Sequence, residues 1–271
     1  MSLIEAWDRQ QELYIGGREA RFDALLDAVD WHVERLATSE PVVVDLCCGP
    51  AAIGRRLLRR FPTARYIGVD IDPVLLELAR RVTAEHPAAH LDIVECDVAD
   101  PGWLERAPVG AVDVVCSSTA LHWLSGSELD RTLAHAWRSL RPGGLLLNAD
   151  HLGFDTLPAF TELARWVASR DAVAASVGGA PNWAQWWAAA RTDETLRPLC
   201  ERRDQVFPPP EPPAVADHDE GAAAAASIDR RPPLRGFVDA ARRAGFGEVD
   251  TIWQRFDDRI VMAVKPEHGS R

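Results

Sequence analysis

Five short apolar runs rich in β-branched residues recur along residues 42–150: "VVVDL" (42–46), "YIGVD" (66–70), "LDIVE" (91–95), "VDVVCS" (112–117) and "GLLLNAD" (144–150). Their near-continuous apolar character calls for burial on both faces, as in a parallel sheet. Helical patterns separate them. "IGRRLLRRF" puts Ile53, Leu57, Leu58 and Phe61 on one face. "DPVLLELARRVTAEH" opens with Asp72 as a cap and Pro73 at the first helical position. "SELDRTLAHAWRSL" reads as a helix capped by Ser127 and stopped by "RPGG". Such alternation predicts a doubly wound α/β sheet with right-handed crossovers. The chain's end breaks the pattern. "RGFVDAARRAGF" reads as a helix stopped by Gly245, and "EVDTIWQRF" and "DRIVMAVKP" as strands joined by a tight Asp-Asp turn. With no helix between them, they predict an antiparallel hairpin at the sheet edge.

With 271 residues the chain is long for one domain, which suggests a domain with an insertion. Residues 1–37 read as helical segments, 38–150 as the α/β core, 151–233 as a cap, and 234–271 as the closing helix and hairpin. The cap is Trp-rich and ends in "PPPEPPAVADHDEGAAAAASIDRRPP", read as a mobile loop. A net charge of −11 argues against a broad nucleic-acid-binding face. No apolar run approaches the roughly 18 residues that cross a bilayer. The mixed polar start "MSLIEAWDRQQELY" does not read as a signal peptide. Five cysteines, at 47, 48, 96, 116 and 200, show no metal-like spacing, so no metal site is expected. They read as small packing residues in a reducing cytoplasm.

A turn containing Gly49 follows the first strand, and Asp70 ends the second, 25 residues after Asp45. In doubly wound sheets that turn sits at the carboxyl edge, where nucleotides bind, and an acid at the second position holds ribose hydroxyls. Either feature alone is equally compatible with a tight connection. The ordered set "VVDLCCGPAAIG…YIGVDIDP…DIVECDVAD…VDVVCSSTALHWL…LRPGGLLLNAD", with the closing hairpin, resembles the class I S-adenosylmethionine-dependent methyltransferases. The resemblance spans about residues 40–150 and 234–265. It implies a Rossmann-like, seven-stranded, mostly parallel sheet with a terminal antiparallel hairpin. The family's first motif is Asp-x-Gly-x-Gly-x-Gly. Here Asp45, Leu46, Cys47, Cys48, Gly49, Pro50 and Ala51 stand in its place, so only the middle glycine is kept. Cβ atoms at 47 and 51 disfavour a positive φ there.

Carried over by position, the resemblance implies S-adenosyl-L-methionine as cofactor. Asp45 would reach the methionine amino group, Cys47 and Gly49 would line the turn, and Asp70 would accept from the ribose with Ile71 on the adenine. Asp97 and Val98 would meet the adenine edge, and Ser117 the methyl-donor end. Plain roles stand beside these: a helix-terminus acid for Asp45, a solvated loop acid for Asp97. His122, just after the fourth strand, is a candidate base, with Asp150 and His151 as rivals after the fifth. Trp123, Trp183 and Trp186 are candidate acceptor contacts or packing residues. The segment "QQELYIGGREARFDALLDAV" resembles bacterial methyltransferases of secondary metabolism, which implies a small-molecule acceptor. Two other readings stay open: a pocket repurposed for cyclisation, elimination or hydrolysis, and a non-catalytic binding protein.

Overall fold

In the computed structural model, residues 2–84, 90–107, 110–207 and 231–267 are described. Of the expected loop at 208–233, residues 208–230 lie outside them. Seven strands form one sheet: β1 (Val42–Leu46), β2 (Arg65–Asp70), β3 (His90–Glu95), β4 (Val112–Ser118), β5 (Leu140–His151), β6 (Glu248–Arg255) and β7 (Asp258–Val264). Their order is β3-β2-β1-β4-β5-β7-β6. Neighbours run parallel from β3 to β5, whereas β7 is antiparallel to both β5 and β6. The seven-stranded sheet with its terminal hairpin is the fold the sequence predicts.

Strand alternation sends side chains to two buried faces. Val43 and Tyr66 face α2 (Arg18–Leu36) and α3 (Ala52–Arg60), meeting Phe22, Leu25, Val29, Ile53 and Leu57. Val44, Leu46, Ile67 and Val69 face α5 (Gly126–Ser139) and the last helix, meeting Leu133, Ala136, Phe237 and Ala240. Helix α4 (Pro73–Ala84) follows β2, and α1 (Leu3–Gln11) precedes α2. After β5 come α6 (Pro158–Val177), α7 (Trp183–Ala190) and α8 (Arg197–Val206), and then α9 (Leu234–Ala244) leads into the hairpin.

Local chemistry sets the boundaries. Asp72 caps α4 as expected, its Oδ1 accepting from the amides of Val74 (2.9 Å) and Leu75 (3.2 Å). The cap of α5 is Ser125 rather than Ser127. Ser125 stands three residues before Glu128, and the two close a reciprocal capping box that Ser127 cannot form. The final turn is Phe256–Asp257 rather than Asp-Asp, because Phe256 takes the positive φ (56°) and Asp258 already pairs in β7. Helix α5 ends at Ser139, and "RPGG" belongs to a longer β5 that starts at Leu140.

The strand order reverses direction between β1 and β4. Loops leaving those two strands diverge there and open a crevice at the carboxyl edge.

Candidate functional site

The turn after β1 takes three left-handed residues in alternation: Cys47 (φ 56°), Gly49 (φ 53°) and Ala51 (φ 56°). These are the three positions at which the resembled family carries glycine. The backbone therefore keeps the glycine-type turn although two positions bear a Cβ. A left-handed L-residue costs roughly 1–2 kcal/mol, and buried neighbours hold it: the Cys48 amide donates to Val69 O (3.0 Å), and Ala51 is fully buried. At Gly49 a side chain would first meet Leu75 Cδ1, at 3.9 Å, so the backbone borders open space there.

Asp70 fastens this turn to the start of α4. Its Oδ2 accepts from the Gly49 amide (2.8 Å) and its Oδ1 from the Asp72 amide (2.9 Å). Burial raises its pKa to about 6, against the lowering effect of those backbone donors. Beneath the turn, Asp45 is fully enclosed and accepts from the Tyr66 hydroxyl (2.7 Å). Burial raises its pKa to about 7, with the Tyr66 bond opposing and the Asp70 charge adding. Gly54 of α3 lets that pair form, since a Cβ there would lie 2.5 Å from the Tyr66 ring. Burial pushes the Cys47 and Cys48 thiols well up, so neither is a ready nucleophile.

Asp97 is exposed, with Oδ1 accepting from the Ala99 amide (2.8 Å). Val98 is buried, and its carbonyl accepts from Trp103 Nε1 (3.1 Å). Ile71 is half-buried between Asp70 and the α4 cap. Ser117 is buried and donates to Leu46 O (2.8 Å), stitching β4 to β1 across the reversal. These residues fit a nucleoside-bearing cofactor. With backbone amides as its donors, the Asp70 carboxylate, which has about four lone-pair positions, keeps acceptor capacity for a ribose hydroxyl. The Asp97 carboxylate stands exposed, and Gly49 leaves room for close approach.

On the other side of the crevice, Asp150 gathers the expected catalytic candidates. It is fully buried at the end of β5. Its Oδ1 lies 2.6 Å from His122 Nδ1 and accepts from the His151 amide (2.8 Å), while Oδ2 accepts from the His122 amide (3.0 Å). A carboxylate only accepts, so Nδ1 of His122 carries the proton and Nε2 is the acceptor. Trp123 is 74% exposed and lies against the His122 ring at 4.6 Å between centroids. His151 is buried, its pKa driven well below the usual value by burial and then by Arg231 and Arg21.

The cap tryptophans part company. Trp186 is 1% exposed, packs on Trp7 and Trp187, and donates from Nε1 to Leu3 O (3.0 Å). It joins α7 to α1. Trp183 is 43% exposed at the rim of the same cluster, 5.8 Å from Trp7. Helix α8 adds an Arg203–Asp72 ion pair (2.6 Å), with the guanidinium 4.0 Å over the Trp187 ring.

Sequence reasoning missed the polar residues behind this edge. Arg21, fully buried in α2, bonds Asp258 (2.7 Å), Ser118 (2.9 Å) and Thr119 (2.6 Å). Its place on the apolar face with Phe22, Leu25 and Val29 was the available signal. A cavity of about 20 Å³ is lined by Tyr14, His151, Val167, Arg255 and Asp258, among others. Its parts come from five separate segments, so no local pattern announces it.

In strand order and terminal hairpin the fold is similar to that of the class I S-adenosylmethionine-dependent methyltransferases. Residues 43–144 match the family model described as a methyltransferase domain. Trans-aconitate 2-methyltransferase of Streptomyces coelicolor is 34% identical over 143 residues, covering 52% of this chain and 43% of the relative. Malonyl-acyl-carrier-protein O-methyltransferase of a Paenibacillus species is 27% identical over 109 residues, covering 40% and 38%. An O-methyltransferase family protein from Burkholderia thailandensis shares the fold, with a TM-score of 0.51 at 17% identity over 97% of this chain and 68% of that one. The match thus spans less than half the length of either curated relative. Among the described residues, no helix is long and apolar enough to cross a membrane.

Proposed function

We propose that this protein transfers a methyl group from S-adenosyl-L-methionine to a small organic acceptor. The observation that carries the reading is the turn after β1, which holds the left-handed geometry at 47, 49 and 51 and is tied by Gly49 to the Asp70 carboxylate. When bound, the donor supplies a methyl already activated by a sulfonium. The chain's part is therefore alignment and the handling of one proton. Asp70 would hold the ribose, Asp97 and Val98 the adenine edge, and Asp45 the methionine end through the turn. His122 would accept the acceptor's proton at Nε2 while Asp150 fixes the ring and its tautomer. The neutral, buried His151 and exposed Trp123 would border the acceptor. The acceptor class rests on the resemblance to secondary-metabolism enzymes and on the printed name of one curated relative, a trans-aconitate 2-methyltransferase. The five free cysteines suit action in a reducing cytoplasm.

Calorimetry of the whole chain with S-adenosylmethionine and with its demethylated product tests donor binding. Transfer of a labelled methyl to low-mass fractions of a cell extract tests the acceptor class. Both ligands should bind, and label should appear in small molecules. Failure of both to bind would remove the reading, and label found only in polymer would overturn the acceptor class. Donor binding without any methyl loss would favour the repurposed pocket instead.

A further inference from the structure

Helix α6 is apolar on two opposite faces. One packs inward through Ala164, Val167 and Ala172. The other meets solvent and carries Leu163, Trp166, Val173 and Val177, with Trp166 60% and Val177 84% exposed. At 100° per residue these four fall within one stripe opposite the packed face, and they run for about 20 Å. A contiguous apolar stripe of this kind marks an interaction surface.

Charge on this face says what covers it. Glu162 lies four residues before Trp166 and Arg170 four residues after. We propose that α6 pairs antiparallel with α6 of a second copy of this chain, about a two-fold axis at Trp166. Rotation about that axis brings Glu162 level with the partner's Arg170, within reach of two long side chains, and the symmetry repeats the ion pair. The same rotation brings Leu163 level with the partner's Ser169 and Ala159 level with the partner's Val173, large beside small, and sets the two Trp166 rings together at the centre. A parallel pair would instead place Glu162 against Glu162 and Arg170 against Arg170. In the single chain Arg170 lies 3.1 Å from its neighbour Asp171 and over Trp166. That exposed contact is weak and free to exchange. A helix of 20 residues is about 30 Å long and presents roughly 400 Å² per copy, about half the area of a standard interface. The dimer is therefore reversible and concentration-dependent.

Sedimentation velocity of the whole chain from about 1 to about 200 μM reads this directly. The mass should rise from 29.9 kDa towards twice that value. Trp166→Glu should hold the protein monomeric. Glu162→Arg and Arg170→Glu should each weaken association by about tenfold, and the double swap should restore it to within about threefold. All three side chains are exposed, and circular dichroism checks that each variant is folded. A monomer across the whole range, a dimer that survives Trp166→Glu, or a double swap that fails to recover would each overturn the proposal. So would a monomer that sediments with phosphatidylcholine–phosphatidylglycerol vesicles, which would give the stripe to a lipid surface.

Discussion

Replacing Asp70 by Asn separates two effects that the structure places on one side chain. Its oxygens accept the Gly49 amide at 2.8 Å and the Asp72 amide at 2.9 Å. Bonds to a charged acceptor are worth about 1.5–3 kcal/mol each. Against them stands burial, which lifts the pKa from 3.8 to about 6, so the ionised form carries a cost of about 3 kcal/mol at neutral pH. Asparagine keeps one oxygen, loses one of the two bonds and escapes the desolvation of the charge. The two changes offset, and folding stability at pH 7.5 should move by no more than about 1–2 kcal/mol. Cofactor binding has no such compensation. Loss of the carboxylate's bond to a ribose hydroxyl should weaken binding by about 10- to 150-fold. The sign with pH follows from the raised pKa. Asp70 contributes stability that is fully present below about pH 4 and is lost as pH rises through about 6. The wild type should therefore gain stability over Asp70→Asn on acidification across that window, while its cofactor affinity falls. Urea unfolding at pH 4.5 and 7.5, with calorimetry of the demethylated cofactor at the higher pH, measures both. Affinity within threefold of wild type in a folded variant would refute the argument, and so would a stability loss above about 4 kcal/mol.

Ala51→Gly and Cys47→Gly should leave the melting temperature within a few degrees and cofactor affinity within about threefold, because relief of the left-handed residue offsets the added freedom of the unfolded chain; Ala51→Val, by contrast, should destabilise by about 2 kcal/mol or more in urea unfolding. Trp186→Ala should cost about 3–5 kcal/mol in the same assay, and Trp183→Ala less than about 1 kcal/mol, since only Trp186 is enclosed and bonded to Leu3. His122→Ala should leave donor affinity within about twofold by calorimetry and lower labelled-methyl transfer by about 10²–10⁴-fold, with Asp150→Asn following in the same direction.

The sheet was legible because a strand buried on both faces leaves a run that little else produces. The hairpin was legible because two such runs adjoin without a helix. The acid at the end of β2 was legible for the same reason: its place follows from the strand that carries it. Cys47 and Ala51 were harder. Residue type argues against a positive φ at both, and the fold overrides that preference through neighbours distant in sequence, such as Val69. The dyad was legible as two separate candidates but not as a pair. His122 and Asp150 lie 28 residues apart and meet only because β4 and β5 are neighbours in register. Trp183 and Trp186 could not be told apart by helical spacing: both meet Trp7, and what separates them is the enclosure of Trp186 and its bond to Leu3 O, 183 residues away in sequence.

Charge links these parts. On α1, burial would raise the Asp8 carboxyl, yet Arg18, Arg56 and Arg55 together hold it below the usual carboxylate range. Its stabilising effect is present at neutral pH and is lost as pH falls. Two of those arginines stand in the first turns of α3, directly after the left-handed turn. Asp8 thus clamps α1 onto the helix that begins at the cofactor edge, and Trp186 clamps α7 onto α1. Asp45 and Asp70, one turn away, have the opposite sign: both are raised by burial, and both lose stability as pH rises. Near neutrality the clamp is fully engaged while the carboxylates under the turn are held at a cost. A ligand that brings hydroxyl donors and positive charge to that edge relieves the cost without disturbing the clamp. The frame around that edge is held by arginine–carboxylate pairs that do not depend on a ligand being there.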